Sequence, residues 1–242
     1  MSGRVKQKST TLYCFSPPVM IATFAIEVAL AIYALVRYKM TPILRLGVAL
    51  LICLAVFQLA EYNVCEGAWG VNSLEWARIG YVAISLLPPL GMHLSTRIAG
   101  RKPGFLVALA YGSGVLFALF FLFVGQGLQS QQCLGNYVIF TIAPGALVPY
   151  TIYYYGWLAV STVYSFVMSR RLKEIKQAHA LMWLAAGYMA FVIPTTAANL
   201  IDPSTRAGIP SIMCGFAVLL AVVLAFRVLP LTQFPQSKLK DN

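Results

Sequence analysis

Apolar runs of 17 to 22 residues recur seven times along the chain, and the polar residues collect in the short stretches between them. A helix crossing the hydrocarbon core of a bilayer needs about 20 mostly apolar residues. Irregular backbone cannot face lipid, so each run is predicted to be a helix. The runs cover residues 19–36, 46–63, 79–95, 104–125, 147–168, 180–201 and 209–226. The expected fold is an all-α membrane protein, one seven-transmembrane helix bundle spanning residues 1–242. Between the fourth and fifth runs, residues 137–142 are β-branched and aromatic, and Ala143-Pro-Gly-Ala146 reads as a turn. That pattern predicts a short outer β-hairpin lidding the bundle.

Charge sets the orientation. Only 10% of the residues are charged. The segments after the first, third and fifth spans and the C-terminal tail hold thirteen of the eighteen Lys and Arg residues, among them Arg37, Arg45, Arg101, Arg170 and Lys176. The opposite side holds five: Arg4, Lys6, Lys8, Arg78 and Arg206. Lys and Arg collect on the cytoplasmic side, so the N-terminus is expected outside and the C-terminus in the cytoplasm. The basic start at Arg4 alone points the other way and is outvoted. The first run holds a Glu and is followed by no clear small-x-small site, so no cleaved signal peptide is expected. The net charge of +11 is thereby a collar beside anionic headgroups and membrane lipids, with no nucleic acid implied.

Intramembrane ionisable groups are costly and point to function by default. Glu27 lies nine residues after Pro18, roughly 13 Å along a helix axis, with no Lys or Arg at that depth. It is expected either protonated or hydrogen-bonded to a Tyr, Ser or Thr of another helix, with a cation or proton path as the sharper alternatives. Gln58, Glu61 and Tyr62 share one face of the second span. Arg78 and Tyr81 open the third at similar depth, where Glu61 or Glu75 can pair with Arg78. Thr195 and Asn199 reach the same level on the sixth span. The fifth begins Tyr150-Thr-Ile-Tyr-Tyr-Tyr-Gly-Trp157, where Tyr154 and Trp157 suit either an interfacial aromatic belt or a stacking cage. These residues form the candidate ligand site. Glu61, Glu66, Glu75 and Asp202 give its mouth an acidic character suited to a cationic or amphipathic ligand, and equally describe ordinary solvated loops.

Pro88 and Pro89 in the third span and Pro194 in the sixth each lack the amide that bonds four residues back, freeing the carbonyls of Ile84, Ser85 and Ala190. Cys53 and Cys214 fall inside spans and behave as small apolar residues. Cys14, Cys65 and Cys133 map to the outer side, where a Cys65–Cys133 disulfide and three free thiols are the alternatives. His93 and His179 lie near the cytoplasmic ends of the third and sixth spans, and a bis-His haem between them is an unfavoured reading. None of the eight Lys lies inside a span, so no retinal Schiff base is expected, and no cofactor or metal is implied.

Trp76-Ala-Arg-Ile-Gly-Tyr-Val-Ala-Ile-Ser-Leu-Leu-Pro-Pro89 resembles the third helix of the seven-transmembrane N-terminal sensor region of certain bacterial histidine kinases and diguanylate cyclases. Gln177-Ala-His-Ala-Leu-Met-Trp-Leu-Ala-Ala-Gly187, Phe191-Val-Ile-Pro194, Gly208-Ile-Pro-Ser211 and Ala225-Phe-Arg-Val-Leu229 carry the likeness further. The resemblance implies a sensory module of the bacterial cytoplasmic (inner) membrane. Those proteins continue into a kinase or cyclase; sixteen residues follow Phe226 here, so signalling is expected to run through a separate partner. The leading expectation is a non-enzymatic, receptor-like module binding a small or lipid-like ligand on the outer side. The alternative is an accessory subunit of a larger membrane complex, holding lipid or pigment. A proton-coupled carrier built on Glu27 is weaker, since no inverted repeat is seen.

Overall fold

The computed structural model describes residues 17–67, 70–125, 127–133, 138–201 and 209–233. Among them are seven long helices: α1 (Pro17–Arg37), α2 (Pro42–Glu66), α3 (Ser73–Ile98), α4 (Phe105–Phe123), α5 (Pro144–Arg171), α6 (Ile175–Ile201) and α7 (Ile209–Leu231). Five of them, α1, α2, α4, α6 and α7, are long and apolar enough to cross a membrane. The other two are no shorter, at 26 residues for α3 and 28 for α5, but they carry more of the polar side chains.

Helices α2 and α3 reach past the apolar runs that predicted them, and capping sets their ends. Thr41 Oγ1 accepts the Leu44 amide at 3.1 Å, and Pro42 follows in the first turn, where its missing N–H costs nothing. Asn72 Oδ1 accepts the Glu75 amide at 2.9 Å, and Glu75 itself sits where the helix dipole favours an acid. Gly67 closes α2 at φ 67°, a left-handed geometry that glycine adopts without strain. Arg37, Arg97, Arg170 and Arg171 occupy last turns, where a cation meets the free carbonyls.

The predicted hairpin is present. β1 (Leu128–Cys133) pairs antiparallel with β2 (Val138–Ile142), with Leu128 opposite Ile142 and Cys133 opposite Val138. It covers the end of the bundle where α2 finishes and α3 begins, the hairpin end below. The opposite end carries the basic helix termini.

Helix α3 is the hub, packed against α2, α4, α5 and α6. Close approach needs missing side chains: a Cβ on Gly80 would stand 3.1 Å from Ala60 Cβ, bringing α3 against α2. The prolines do not break α3. The Ser85 carbonyl freed by Pro89 receives the Tyr153 hydroxyl of α5. Gly114 of α4 packs on the same spot, where an added Cβ would lie 2.9 Å from Tyr153 Oη and 3.0 Å from Pro89 Cγ. A predicted backbone vacancy is thus the junction of three helices.

The apolar core divides in two. The half toward the basic end is aliphatic, with Leu44, Leu51, Leu94, Leu184 and Leu224 fully enclosed. The half toward the hairpin is aromatic, built on Phe57, Tyr81, Phe121, Phe140, Tyr150 and Tyr153. Near the basic end α7 passes through a π-helical turn, Leu224–Val228, and the Tyr38 hydroxyl donates to Ala225 O there at 3.0 Å. A π turn misaligns the ladder of backbone bonds, and an outside donor satisfies the carbonyl.

Candidate functional site

The aromatic half of the core encloses a cavity of about 330 Å³ beneath the hairpin. Its described walls come from α3 (Tyr81, Ile84), β2 (Phe140, Thr141, Ile142), α5 (Leu147, Tyr150, Thr151, Tyr154, Tyr155) and α7 (Ile209, Pro210, Met213, Cys214). The tyrosines hold one another in place. Tyr81 lies 5.3 Å from the Phe140 ring at 76° and 5.8 Å from Tyr150, and Tyr150 lies 6.0 Å from Tyr154. Edge-to-face and offset pairs of this kind add to simple area burial. Tyr154, Met213 and Cys214 also wall a second, deeper space of about 30 Å³ reaching Pro88, Gly91 and Tyr188. That space is wide enough for about one water.

Behind Tyr81 and Cys214 lies a node of buried polar groups. Glu27 is 0% exposed, and neither of its carboxyl oxygens has a hydrogen-bond partner. Glu61 lies close enough for its charge to be felt by Glu27 and by Tyr81, and Cys214 feels both carboxyls. Gln58, one turn from Glu61, has an unpartnered Nε2, and the Tyr81 hydroxyl is also unpartnered. Glu61 keeps one contact, to the Ser211 hydroxyl of α7. Ser211 Oγ in turn accepts the Val138 amide of β2 at 3.3 Å. One serine therefore ties the lid strand to α7 and, through Glu61, to α2.

The residues predicted from sequence sort into three groups. Tyr81 and Tyr154 line the cavity. Glu27, Gln58 and Glu61 form the polar node, so Glu61, expected at an acidic mouth, is interior at 1% exposure. The rest stand apart from the described walls. Tyr62 packs on the aromatic core. Arg78 pairs with neither Glu61 nor Glu75; its guanidinium donates to Gly125 O at 3.4 Å, because Glu61 faces inward while Arg78 reaches the loop after α4. Trp157 Nε1 donates to Ser113 Oγ at 3.0 Å, joining α5 to α4. Thr195 spends its hydroxyl on Phe191 O at 2.7 Å within its own helix. Asn199 is half-buried in the last turns of α6.

No protein-family profile matches the chain, and no curated protein matches it. The site therefore rests on its own geometry.

Glu27 was expected to find a Tyr, Ser or Thr partner if it serves as an anchor, and none is present among the described residues. Cys65 is disulfide-bonded. The Cys133 side chain, Cys14 and Asp202 lie outside the described residues, as does Tyr137 of the predicted strand. Cys53 and Cys214 are free thiols. His93 Nδ1 stands 3.2 Å from the Tyr111 hydroxyl and His179 is exposed. Ser211, Met213 and Tyr155 escaped sequence reasoning. The spacing of Tyr155 gave no signal, since it stands five residues from Tyr150 and off the face that Tyr150 and Tyr154 share.

Chemically, the site offers a mostly apolar, aromatic chamber with a few convergent polar groups, the usual make-up of a ligand pocket. Among the described residues no three His, Cys, Asp or Glu gather closely enough to hold a metal.

Proposed function

We propose that the chain is a non-enzymatic, receptor-like sensory module that binds a small or lipid-like ligand in the tyrosine-lined cavity. All seven helices span the membrane in this reading, with the hairpin outside and the basic end in a bacterial cytoplasm, as the resemblance to kinase and cyclase sensor regions implies. The carrying observation is the cavity of about 330 Å³ beneath the hairpin. Its size falls at the lower end of small-molecule pockets, roughly 300–1,000 Å³.

The same helix that walls the cavity offers a route outward. Met213 and Cys214 face the ligand space, and α7 continues from them into the π turn at Leu224–Val228. There Tyr38 holds Ala225 O, and the Arg227 guanidinium stands 5.1 Å over the Trp183 ring of α6. A ligand that displaces the upper part of α7 changes what this end presents to a separate signalling partner. Coupling requires that the ligand prefer one arrangement over the other.

The test is extraction of bound small molecules from the purified protein, followed by mass spectrometry, for the wild type and for Met213→Trp. A species retained by the wild type and lost from the folded variant is expected. Identical extracts from both would overturn the proposal.

A second reading, an accessory subunit of a larger membrane complex, is favoured by α4. An apolar groove of about 550 Å³ runs between Leu116 and Phe120 of α4, with Val124 just past its end, and Ala146 and Pro149 of α5. Leu116 and Phe123 are exposed on this part of α4. Co-purification of one protein in fixed stoichiometry, lost when Leu116 is changed to Trp, decides for that reading.

A further inference from the structure

We infer that the ligand of this cavity carries a single positive charge, an ammonium head on an apolar body, and that Glu27 and Glu61 are its counter-charge. The inference rests on the cavity being a ligand site.

The polar node holds two buried carboxyls, Glu27 and Glu61, and three of their four oxygens lack any hydrogen-bond partner. Among the described residues no Lys or Arg reaches them. Every Lys and Arg lies in a connecting segment, a terminal segment or the end turns of a helix. Arg78, the nearest along the chain to Tyr81, turns to Gly125 O instead. A buried carboxylate without a partner is costly, so two acids with no base among the described residues are complementary to an incoming cation.

A second, independent feature points the same way. Tyr81, Tyr150, Tyr154 and Tyr155 line the cavity from two helices. The electron-rich faces of several aromatic rings around one space attract an ammonium, most strongly when it is desolvated. Tyr81 and Cys214 are cavity walls that also feel the charge of the carboxyl node. The Tyr81 hydroxyl is itself fully buried and unpartnered. A head group held there has rings around it and carboxyls behind it.

The rest of the chamber selects the body of the ligand. Ile84, Phe140, Ile142, Ile209 and Met213 are apolar, and Leu147 is both a wall residue and 49% exposed on the flank of α5. A chain leaving the cavity past Leu147 enters the bilayer. The chemical class is therefore a lipophilic amine or quaternary ammonium amphiphile.

The experiment compares dodecyltrimethylammonium with dodecanol on the full chain in zwitterionic nanodiscs, reading the shift in unfolding temperature as probe is added. A ligand that binds only the folded state raises that temperature in proportion to its occupancy. The ammonium probe is expected to stabilise the wild type at concentrations about tenfold below dodecanol. Glu61→Gln and Glu27→Gln, which keep side-chain shape, should remove that advantage while leaving the dodecanol response unchanged. Equal responses to both probes in the wild type would overturn the inference while leaving the cavity reading intact. No response to either probe would overturn both. An ammonium response that survives in the two Gln variants would overturn the role of the carboxyls. A shift produced by sodium chloride but not N-methylglucamine chloride, with both dodecyl probes inert, would assign the charge to an inorganic ion and overturn the amphiphile. If a Gln variant does not fold, the wild-type probe comparison still decides.

Discussion

Tyr153→Phe removes one hydroxyl from the place where α3, α4 and α5 meet. Its consequence depends on a residue of another helix. Pro89 has no amide hydrogen, so the Ser85 carbonyl lacks its helical donor, and Tyr153 supplies a replacement. Ser85 is 0% exposed and Tyr153 6%, so water does not reach the carbonyl once the hydroxyl is gone. An unpaired buried acceptor costs about 1–3 kcal/mol. The Phe ring keeps the packing on Phe117, whose centroid lies 4.8 Å away, so little else changes. In a Pro89→Ala background the new amide bonds Ser85 O directly. The same Tyr153→Phe change should then cost about 0.5 kcal/mol or less, the coupling between the two sites being about 1–2 kcal/mol. Loss of the proline ring against Gly114 is the same with Tyr or Phe at position 153 and cancels in the cycle. The four proteins can be unfolded thermally in one lipid composition and compared. Costs that add within about 0.5 kcal/mol would refute the exchange of a backbone donor for a side-chain donor.

Ser211→Ala should destabilise the protein by about 2–4 kcal/mol in thermal unfolding, because it strands both the Val138 amide and the Glu61 carboxyl; a change below 0.5 kcal/mol, as an order of magnitude, would dissolve the link between lid and bundle. Glu27→Leu, without added ligand, should fold and be no less stable than wild type, since it removes a buried carboxyl that has no protein partner; a large loss of stability would show a partner after all. A reporter enzyme fused after Asn242 should be active in the cytoplasm, as the basic collar demands, and periplasmic activity would reverse the orientation. Cys65 should resist alkylation in unfolded, unreduced protein, and Cys133 with it; full labelling of Cys133 alone would assign the bridge elsewhere.

Much of the fold was legible because lipid leaves so few choices. A run such as Phe105–Phe123 has no alternative to a helix once it must satisfy its own backbone in hydrocarbon. The helices α3 and α5 were read from weaker runs. They face other helices over much of their length, so Ser85, Ser95, Ser161 and Ser165 are tolerated inside, and Ser95 Oγ and Ser165 Oγ pair at 2.8 Å. The second hairpin strand announced itself through Val138, Ile139, Phe140 and Ile142. The first did not, because Gln129, Ser130, Gln131 and Gln132 have no strand preference of their own. Their conformation is imposed by pairing with β2.

The site was legible only where a polar residue betrayed its depth. Glu27 and Tyr81 stood out for that reason. Helical periodicity says which residues share a face but not how the helix is rotated in the bundle, so Glu61 read as part of a solvated mouth and Thr195 as part of a ligand cluster. The α7 wall was invisible for a different reason. In sequence, Met213 and Cys214 belong to an apolar run that lipid would accept equally well. They become cavity walls only because the tyrosines of α5 stand opposite them. Ser211 was overlooked as a loop-side residue, yet its hydroxyl reaches both the lid and a buried acid. A ligand that draws Glu61 toward the cavity must disturb the Ser211 bond, and with it the hold on Val138. The lid strand and a buried acid are thus joined through one shared serine, on the helix that also walls the chamber.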